Sequence, residues 1–358
     1  MNTPLPAVQG HLRTSISWLP LPLLVCLLLG VVSVMAIASL CVGQVMLSPM
    51  RVVHGLLEVG STTIDSKIVL ELRLPRLLAA ILGGAALGVS GLLMQALFRN
   101  PLADPWSLGL MAGGQLGAAL VVVAGAVVGP AALHWLGVFE SVGIVVGAAV
   151  GMLVIATAMA ALARHVGTVT LLVLGLMLGF MAQGLIGILL HFTNRSQVRA
   201  FASWNDATFA AVVWSDYSTL LPPLLLGLVA AALLAKPLTA MLLGDSYARS
   251  MGVDVPRLRR GVLAATILLA APVTALCGPV AFIGLIAPHL ARALLGTARI
   301  GTLVAVTLLV GALLGTLADL VVHLPWSQHF LHLNSVLAII GAPVVIALLL
   351  GSRMRGTG

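Results

Sequence analysis

Long apolar runs separated by short polar clusters set the character of this chain. The clearest run is Leu77 to Phe98, 22 residues without an ionisable side chain. It is bounded by Arg73-Leu-Pro-Arg76 before it and Arg99-Asn-Pro-Leu-Ala-Asp-Pro105 after it. At about 1.5 Å of rise per residue, such a helix crosses a hydrocarbon core of roughly 30 Å. The remaining runs predict ten helical spans in all, near 18–46, 77–98, 107–128, 139–163, 168–192, 214–235, 260–276, 285–294, 300–322 and 334–352. The run at 285–294 is too short to cross alone and needs protein or water around it. A further short helix is expected over 197–210.

Composition agrees with an all-α membrane protein. Hydrophobic residues make up 60% of the 358 and charged residues only 8%, against about 25% charged in a typical soluble chain. The 38 glycines suit helices whose backbones pack closely in lipid. Residues 1–16 read as a short cytoplasmic tail, and Trp18 to Met46 is too long for a cleaved signal peptide. The chain therefore reads as one transmembrane domain over 1–358, its first span retained. Cys26, Cys41 and Cys277 lie in or beside apolar runs without metal-ligand spacing, so they read as small core residues.

The net charge of +8 does not point to nucleic acid, because the basic residues are scattered between spans with no groove-bearing domain. Placing the N-terminus inside puts twelve of the 18 Lys and Arg residues on the inner side and six on the outer side. The opposite orientation reverses that ratio, so N-in, C-in is expected, with an even number of spans.

The longest inner connection, Lys236 to Arg260, contains Leu243-Gly-Asp-Ser-Tyr-Ala-Arg-Ser-Met-Gly-Val253. Asp245 or Ser246 can cap a helix start, and Gly252 can end it in a left-handed turn. Asp254 can cap a second start with Pro256 in its first turn. Two short surface helices over 240–258 are expected. They suit a knob that docks on a cytoplasmic partner, or a loop held to anionic lipid by its arginines.

These clusters, with Phe282-Ile-Gly-Leu-Ile-Ala-Pro-His-Leu-Ala-Arg292 and Gly341-Ala-Pro343, occur in order from about residue 70 to 345. In that set the chain resembles the permease subunits of ABC importers for iron-siderophores, haem and vitamin B12. The resemblance implies a BtuC-like fold with ten transmembrane helices per subunit, and a homodimer in the bacterial inner membrane. Its further partners would be two cytoplasmic ATPase subunits, which hold the ATP and Mg, and a periplasmic or extracellular binding protein. The permease itself would bind no cofactor and catalyse nothing.

Residue by residue, the resemblance makes Arg73 and Arg76 exposed docking points for carboxylates of the binding protein; interfacial arginines snorkelling to headgroups are the alternative. His323 stands where a third docking arginine is expected. Asn100 and Leu102, with Thr168 and Val169, match gate positions of the translocation path, although Pro101 also simply ends a helix. Gly244, Asp245, Ala248, Arg249 and Gly252 would form the coupling element. Gly284, Pro288, His289, Arg292, Gly341 and Pro343 would be structural. Asp319, an acid inside a span, is either functional or a partner of His323.

Two stretches depart from the family: Trp204-Asn-Asp-Ala-Thr-Phe209 lacks the expected glycine and serine, and Leu331-His-Leu-Asn-Ser335 lacks an acid, a proline and a glycine. His329 and His332 join His323 in one outer loop, either solvated or available to haem. No phosphate-binding Gly-x-x-x-x-Gly-Lys-Ser/Thr is present, so energy from ATP must come from another chain. An ion-coupled carrier would need more intramembrane acids than Asp319, and an intramembrane hydrolase would need paired acids or His-Glu-x-x-His. An iron chelate, siderophore or haem, is the first expected cargo, with vitamin B12 as the alternative.

Overall fold

In hydrocarbon every backbone N–H and C=O must be satisfied without water, which helices achieve within one segment. The computed structural model describes residues 20–57, 63–128, 139–162, 165–166, 168–326 and 331–354, and every regular element among them is helical. Helix α1 (Leu21–Cys41) leads to the short α2 (Pro49–Leu57) and α3 (Ile64–Lys67), which runs through a wide π turn, Ile68–Arg73, into α4 (Leu74–Phe98). Next come α5 (Leu110–Val128), α6 (Phe139–Leu162), α7 (Thr168–His191) and the short α8 (Arg195–Asn205). Single turns at Phe209–Ala211 and Trp214–Asp216 precede α9 (Tyr217–Met241). The rest are α10 (Asp245–Ser250), α11 (Val255–Cys277), α12 (Ile283–Leu295), α13 (Ile300–Val322) and α14 (Leu333–Met354).

Among the described residues, seven helices are long and apolar enough to cross a membrane. Three shorter apolar helices accompany them: Leu110–Ala124, Ile283–Leu295 and Leu333–Ile346. The shortest, α12, is sheltered by α4 and α13, as a segment too short to span must be.

Three local expectations need correction. The second span does not begin at 77; its helix is continuous from Ile64, so Arg73-Leu-Pro-Arg76 lies inside it. Pro75 cannot donate a backbone hydrogen bond, and the widened turn just before it absorbs the lost register. The 240–258 segment holds one short helix, α10, because the second start grows directly into the long α11. There Asp254 does cap, accepting from the Arg257 amide at 3.0 Å, whereas α10 starts from Gly244 at φ 117° without a side-chain cap. Finally, α8 ends at Asn205 rather than 210, since Ala207 turns left-handed at φ 54°.

Helix α4 is the spine, buried along nearly its whole length and packed by α13, α11 and α12. Two small-residue crossings bring backbones together. A Cβ on Gly84 would overlap the Gly311 carbonyl, and one on Gly315 would overlap the Ala80 carbonyl. Further along, a Cβ on Gly91 would overlap the Gly284 carbonyl of α12. The α5–α6 pair repeats the device with Gly113 and Gly117 against Gly147 and Gly151. By contrast, α7 contacts α5 on one side and exposes Val173, Met177, Phe180, Met181 and Ile188 on the other.

At Gly91 the obstructing atoms are backbone and cannot swing away. Gly91→Leu should therefore force α4 and α12 apart at a cost of about 1–3 kcal/mol or more, the range for overpacking. Thermal unfolding of the detergent-solubilised chain checks this; an unchanged Tm would show that the crossing is not tight.

Candidate functional site

At the end of the bundle where α4 begins, two arginines and one acid are drawn out of water. Asp319 is 1% exposed, Arg73 5% and Arg76 6%. Arg76 Nε lies 3.1 Å from Asp319 Oδ2, and His323 Nδ1 lies 3.3 Å from Asp319 Oδ1. Ser39 Oγ donates to the same carboxylate at 3.4 Å. The last carbonyls of α1, which have no partner inside their own helix, take up the remaining donors. Arg76 Nη2 donates to the Ser39 carbonyl at 3.0 Å and Arg73 Nη1 to the Leu40 carbonyl at 2.6 Å. The amides of Val42 and Leu47 satisfy Ala38 and Cys41. Arg73 also reaches the Val45 carbonyl beneath the segment leading to α2.

The expectation that Arg73 and Arg76 stand exposed is thus corrected. Leu40, Leu47, Val52, Val69 and Leu77 form a small apolar cluster over this end of the bundle. The partly negative end of α1 meanwhile attracts both guanidinium groups inward. Asp319 does meet His323, as one of the two sequence readings has it, but its main partner is Arg76.

At the opposite end, α4 closes with Arg99 in the left-handed region at φ 49°. The Asn100 amide donates to the Gln95 carbonyl at 3.1 Å, and Asn100 Oδ1 accepts from the Leu102 amide at 2.9 Å. Pro101 and Leu102 are exposed there. Asp104 and Ser107 then lock the descent into α5: the Ser107 amide donates to Asp104 Oδ1 at 2.6 Å, and the Asp104 amide to Ser107 Oγ at 3.0 Å. Burial pushes the Asp104 carboxyl up, and the hydrogen bonds from Ser107 oppose it.

Beside this turn sits the coupling candidate. Asp245 Oδ1 lies 3.2 Å from Arg99 Nη2, and Asp245 Oδ2 accepts from Arg259 Nη2 at 2.7 Å. Ala248 is buried, anchoring α10, while Arg249 is exposed, and Gly252 takes φ 82° to end the element. Leu243, Tyr247 and Met251 are exposed around it. These three were missed by sequence reasoning, although large apolar residues spaced by four across a capped polar loop were the available signal.

A cavity of about 130 Å³ opens between α5 and α7, lined in part by Trp106, Gln115, Phe180 and Gln183. Gln183 Nε2 donates to Gln115 Oε1, and Gln115 Nε2 donates to Asn205 Oδ1 at 2.7 Å, so an amide chain runs from the cavity to α8. Thr168 and Val169 open α7, but their side chains, like Gly167 and His329, lie outside the described residues.

The residues expected to be structural are gathered around α12. Arg292 Nη1 donates to Gln95 Oε1 at 2.5 Å, Gln95 Nε2 donates to the Leu285 carbonyl at 3.2 Å, and His289 Nδ1 approaches that same carbonyl at 2.7 Å. Pro288 is buried within the helix, and Gly341 faces Ile286 and Phe282, while Pro343 is exposed. Asn334, in one of the departing stretches, accepts from the Ala281 amide and donates to the Pro279 carbonyl, both at 2.9 Å. That stretch therefore holds the start of α12. His332 points to Asp206 at 3.8 Å rather than to His323. Among the described residues no group of three His, Cys, Asp or Glu could hold a metal ion.

Comparison with known proteins places this geometry. Residues 30–351 match the model of the FecCD transport family. The vitamin B12 import permease BtuC of Klebsiella pneumoniae is 36% identical over 80% of this chain and 83% of that protein. The ferric enterobactin permease FepG of Escherichia coli is 34% identical over 92% and 96%. The hemin permease HmuU of Yersinia pestis is 33% identical over 81% and 85%. A solved inward-facing structure of a metal-chelate type ABC transporter superposes with a TM-score of 0.77 at 25% identity, covering 92% of this chain and 99% of that one.

Removing Asp319 should strand a buried cation. Asp319→Ala is expected to cost about 3–5 kcal/mol, the usual penalty for breaking a buried ion pair, whereas Arg76→Met/Asp319→Leu should recover much of it. Comparative Tm values of the purified variants decide this; equal Tm for wild type and Asp319→Ala would contradict it.

Proposed function

The chain belongs to the FecCD transport family, and we propose, from that premise, that it lines the path of an ABC importer in which cobalamin is the first candidate cargo. It is a multi-pass permease subunit of the bacterial inner membrane, ATP hydrolysis residing in a separate subunit. Its cargo class is a metal chelate: siderophore, haem or vitamin B12.

The observation that carries the reading is α10 with its two flanks, where Tyr247 on the helix and Leu243 and Met251 on either side of it are exposed beside charged Asp245 and Arg249. An exposed apolar triad rimmed by polar groups suits a protein partner better than a lipid headgroup layer. It is read as the seat of the ATPase subunit, on the inner side. Ten spans with both termini inside is the proposed topology; the seven long and three shorter apolar helices and the charge asymmetry support it. Two copies would enclose the path along the exposed face of α7, with Asn100 and Leu102 near its inner mouth and Thr168 and Val169 at the start of the same α7. On the outer face, His323 is the half-exposed contact for the binding protein, and the buried Arg73–Arg76–Asp319 cluster shapes the platform beneath it.

Cargo order is the reverse of the motif-based one. Vitamin B12 permeases recur among the similar relatives at 31–36% identity, beside ferric enterobactin and hemin permeases at 34% and 33%. The amide chain of Gln115 and Gln183 also offers hydrogen bonds to the amide groups that rim a corrin. An iron–siderophore or haem chelate is the second reading.

Reconstitution of the chain with its ATPase subunits and cognate binding protein in liposomes tests both levels. ATP-dependent uptake of cobalamin above haemin and ferric siderophores is expected. A preference for an iron chelate would restore the other order, and uptake without any ATPase subunit would end the importer reading.

A further inference from the structure

Asp245 is placed to do more than sit in a partner's cleft. One carboxylate oxygen faces Arg99, which closes α4, and the other accepts from Arg259 in the opening turns of α11. Two consecutive elements and one distant in sequence therefore converge on one side chain: the start of α10, the root of α11 and the end of the spine helix. The Arg99 side chain lies along the α10 entry, where a Cβ on Gly244 would sit 3.6 Å from Arg99 Nη1. Arg99 is also one of three non-glycine residues with positive φ among the described residues, at φ 49°. Such a conformation persists only where its surroundings hold it. The turn that follows is the Asn100–Leu102 turn at the proposed inner mouth of the path.

The geometry points to Asp245 as a two-armed clamp that carries displacement of α10 straight to the inner end of α4, through Arg99. This rests on the importer reading above and adds a residue-level link to it. Without the clamp, α10 acts mainly through its covalent neighbours α9 and α11, against which it packs. With it, a push on α10 also bears on the turn that carries Leu102. The ion pairs are half-exposed, with side-chain exposures of 45% for Arg99, 27% for Asp245 and 31% for Arg259. Pairs of this kind contribute little to stability, so their removal should leave the fold intact and show itself in coupling.

The test uses the complex of this chain with its ATPase subunits in nanodiscs. Leu102→Cys is the reporter, and a membrane-impermeant maleimide, with or without ATP and vanadate, is the probe. In the otherwise unaltered chain, nucleotide should change the labelling rate at position 102 by about fivefold or more, the lower end of ordinary allosteric coupling. Arg99→Gln should reduce that response to about twofold or less while ATP hydrolysis continues. Asp245→Glu should preserve it, and adding Arg99→Gln to Asp245→Asn should cause no further loss, as expected of two residues acting through one contact. A full response in Arg99→Gln, or losses that multiply in the double variant, would overturn the clamp. Co-purification of the unaltered chain with the ATPase subunits is scored first, and its failure overturns the importer reading instead.

Discussion

A charge taken out of water must find a counter-charge and hydrogen-bond partners, and the neighbourhood of Asp319 shows how this chain meets that demand. Arg76, Ser39 and His323 converge on its carboxylate from α4, α1 and α13. The same arrangement solves a second problem, since the final carbonyls of α1 would otherwise be orphans in an apolar setting. Ser39 and Leu40 receive guanidinium donors, and Ala38 and Cys41 receive amides. The position of α1 against the spine is therefore specified by polar geometry, which matters because lipid offers no hydrophobic drive to bring helices together.

The two ends of α4 differ in kind. At the Arg73 end the ions are buried, multiply bonded and sealed under an apolar cluster. At the Arg99 end they are half-exposed and joined by two ion pairs of the sort that water and salt weaken. Between the ends, glycine crossings with α12 and α13 lock the helix laterally. The spine is thus anchored firmly at one end, locked along its middle and tethered lightly at the other end.

Much of this was legible in the chain. The apolar run from Leu77 to Phe98 foretold a spanning helix, the small-residue content foretold close backbone packing, and the shortness of the 285–294 run foretold a need for shelter, which α4 and α13 supply. What could not be read was depth. Arg73 and Arg76 look like surface punctuation because their burial depends on residues 42–57 folding back over them, a contact distant in sequence. The role of Asn334 was hidden for a similar reason: its partners, Ala281 and Pro279, lie in another segment, so its stretch looked only like a departure from family pattern. Arg99 and Asp245 were each visible within their motifs, but the ion pair that joins them depends on tertiary structure.

The three non-glycine residues with positive φ among those described, Arg99, Ala207 and Phe282, each sit where a helix stops or starts within or beside the apolar bundle. Each carries local support: the Asn100 amide on Gln95, the Trp204 indole on the Ala275 carbonyl, and Asn334 bridging Pro279 and Ala281. A helix end leaves backbone groups without intrahelical partners, and these side-chain and backbone bonds supply part of what each break leaves open. Straight helices would have satisfied the backbone more simply. Breaks that cost strain and require dedicated partners divide this bundle into segments, each of which remains internally satisfied.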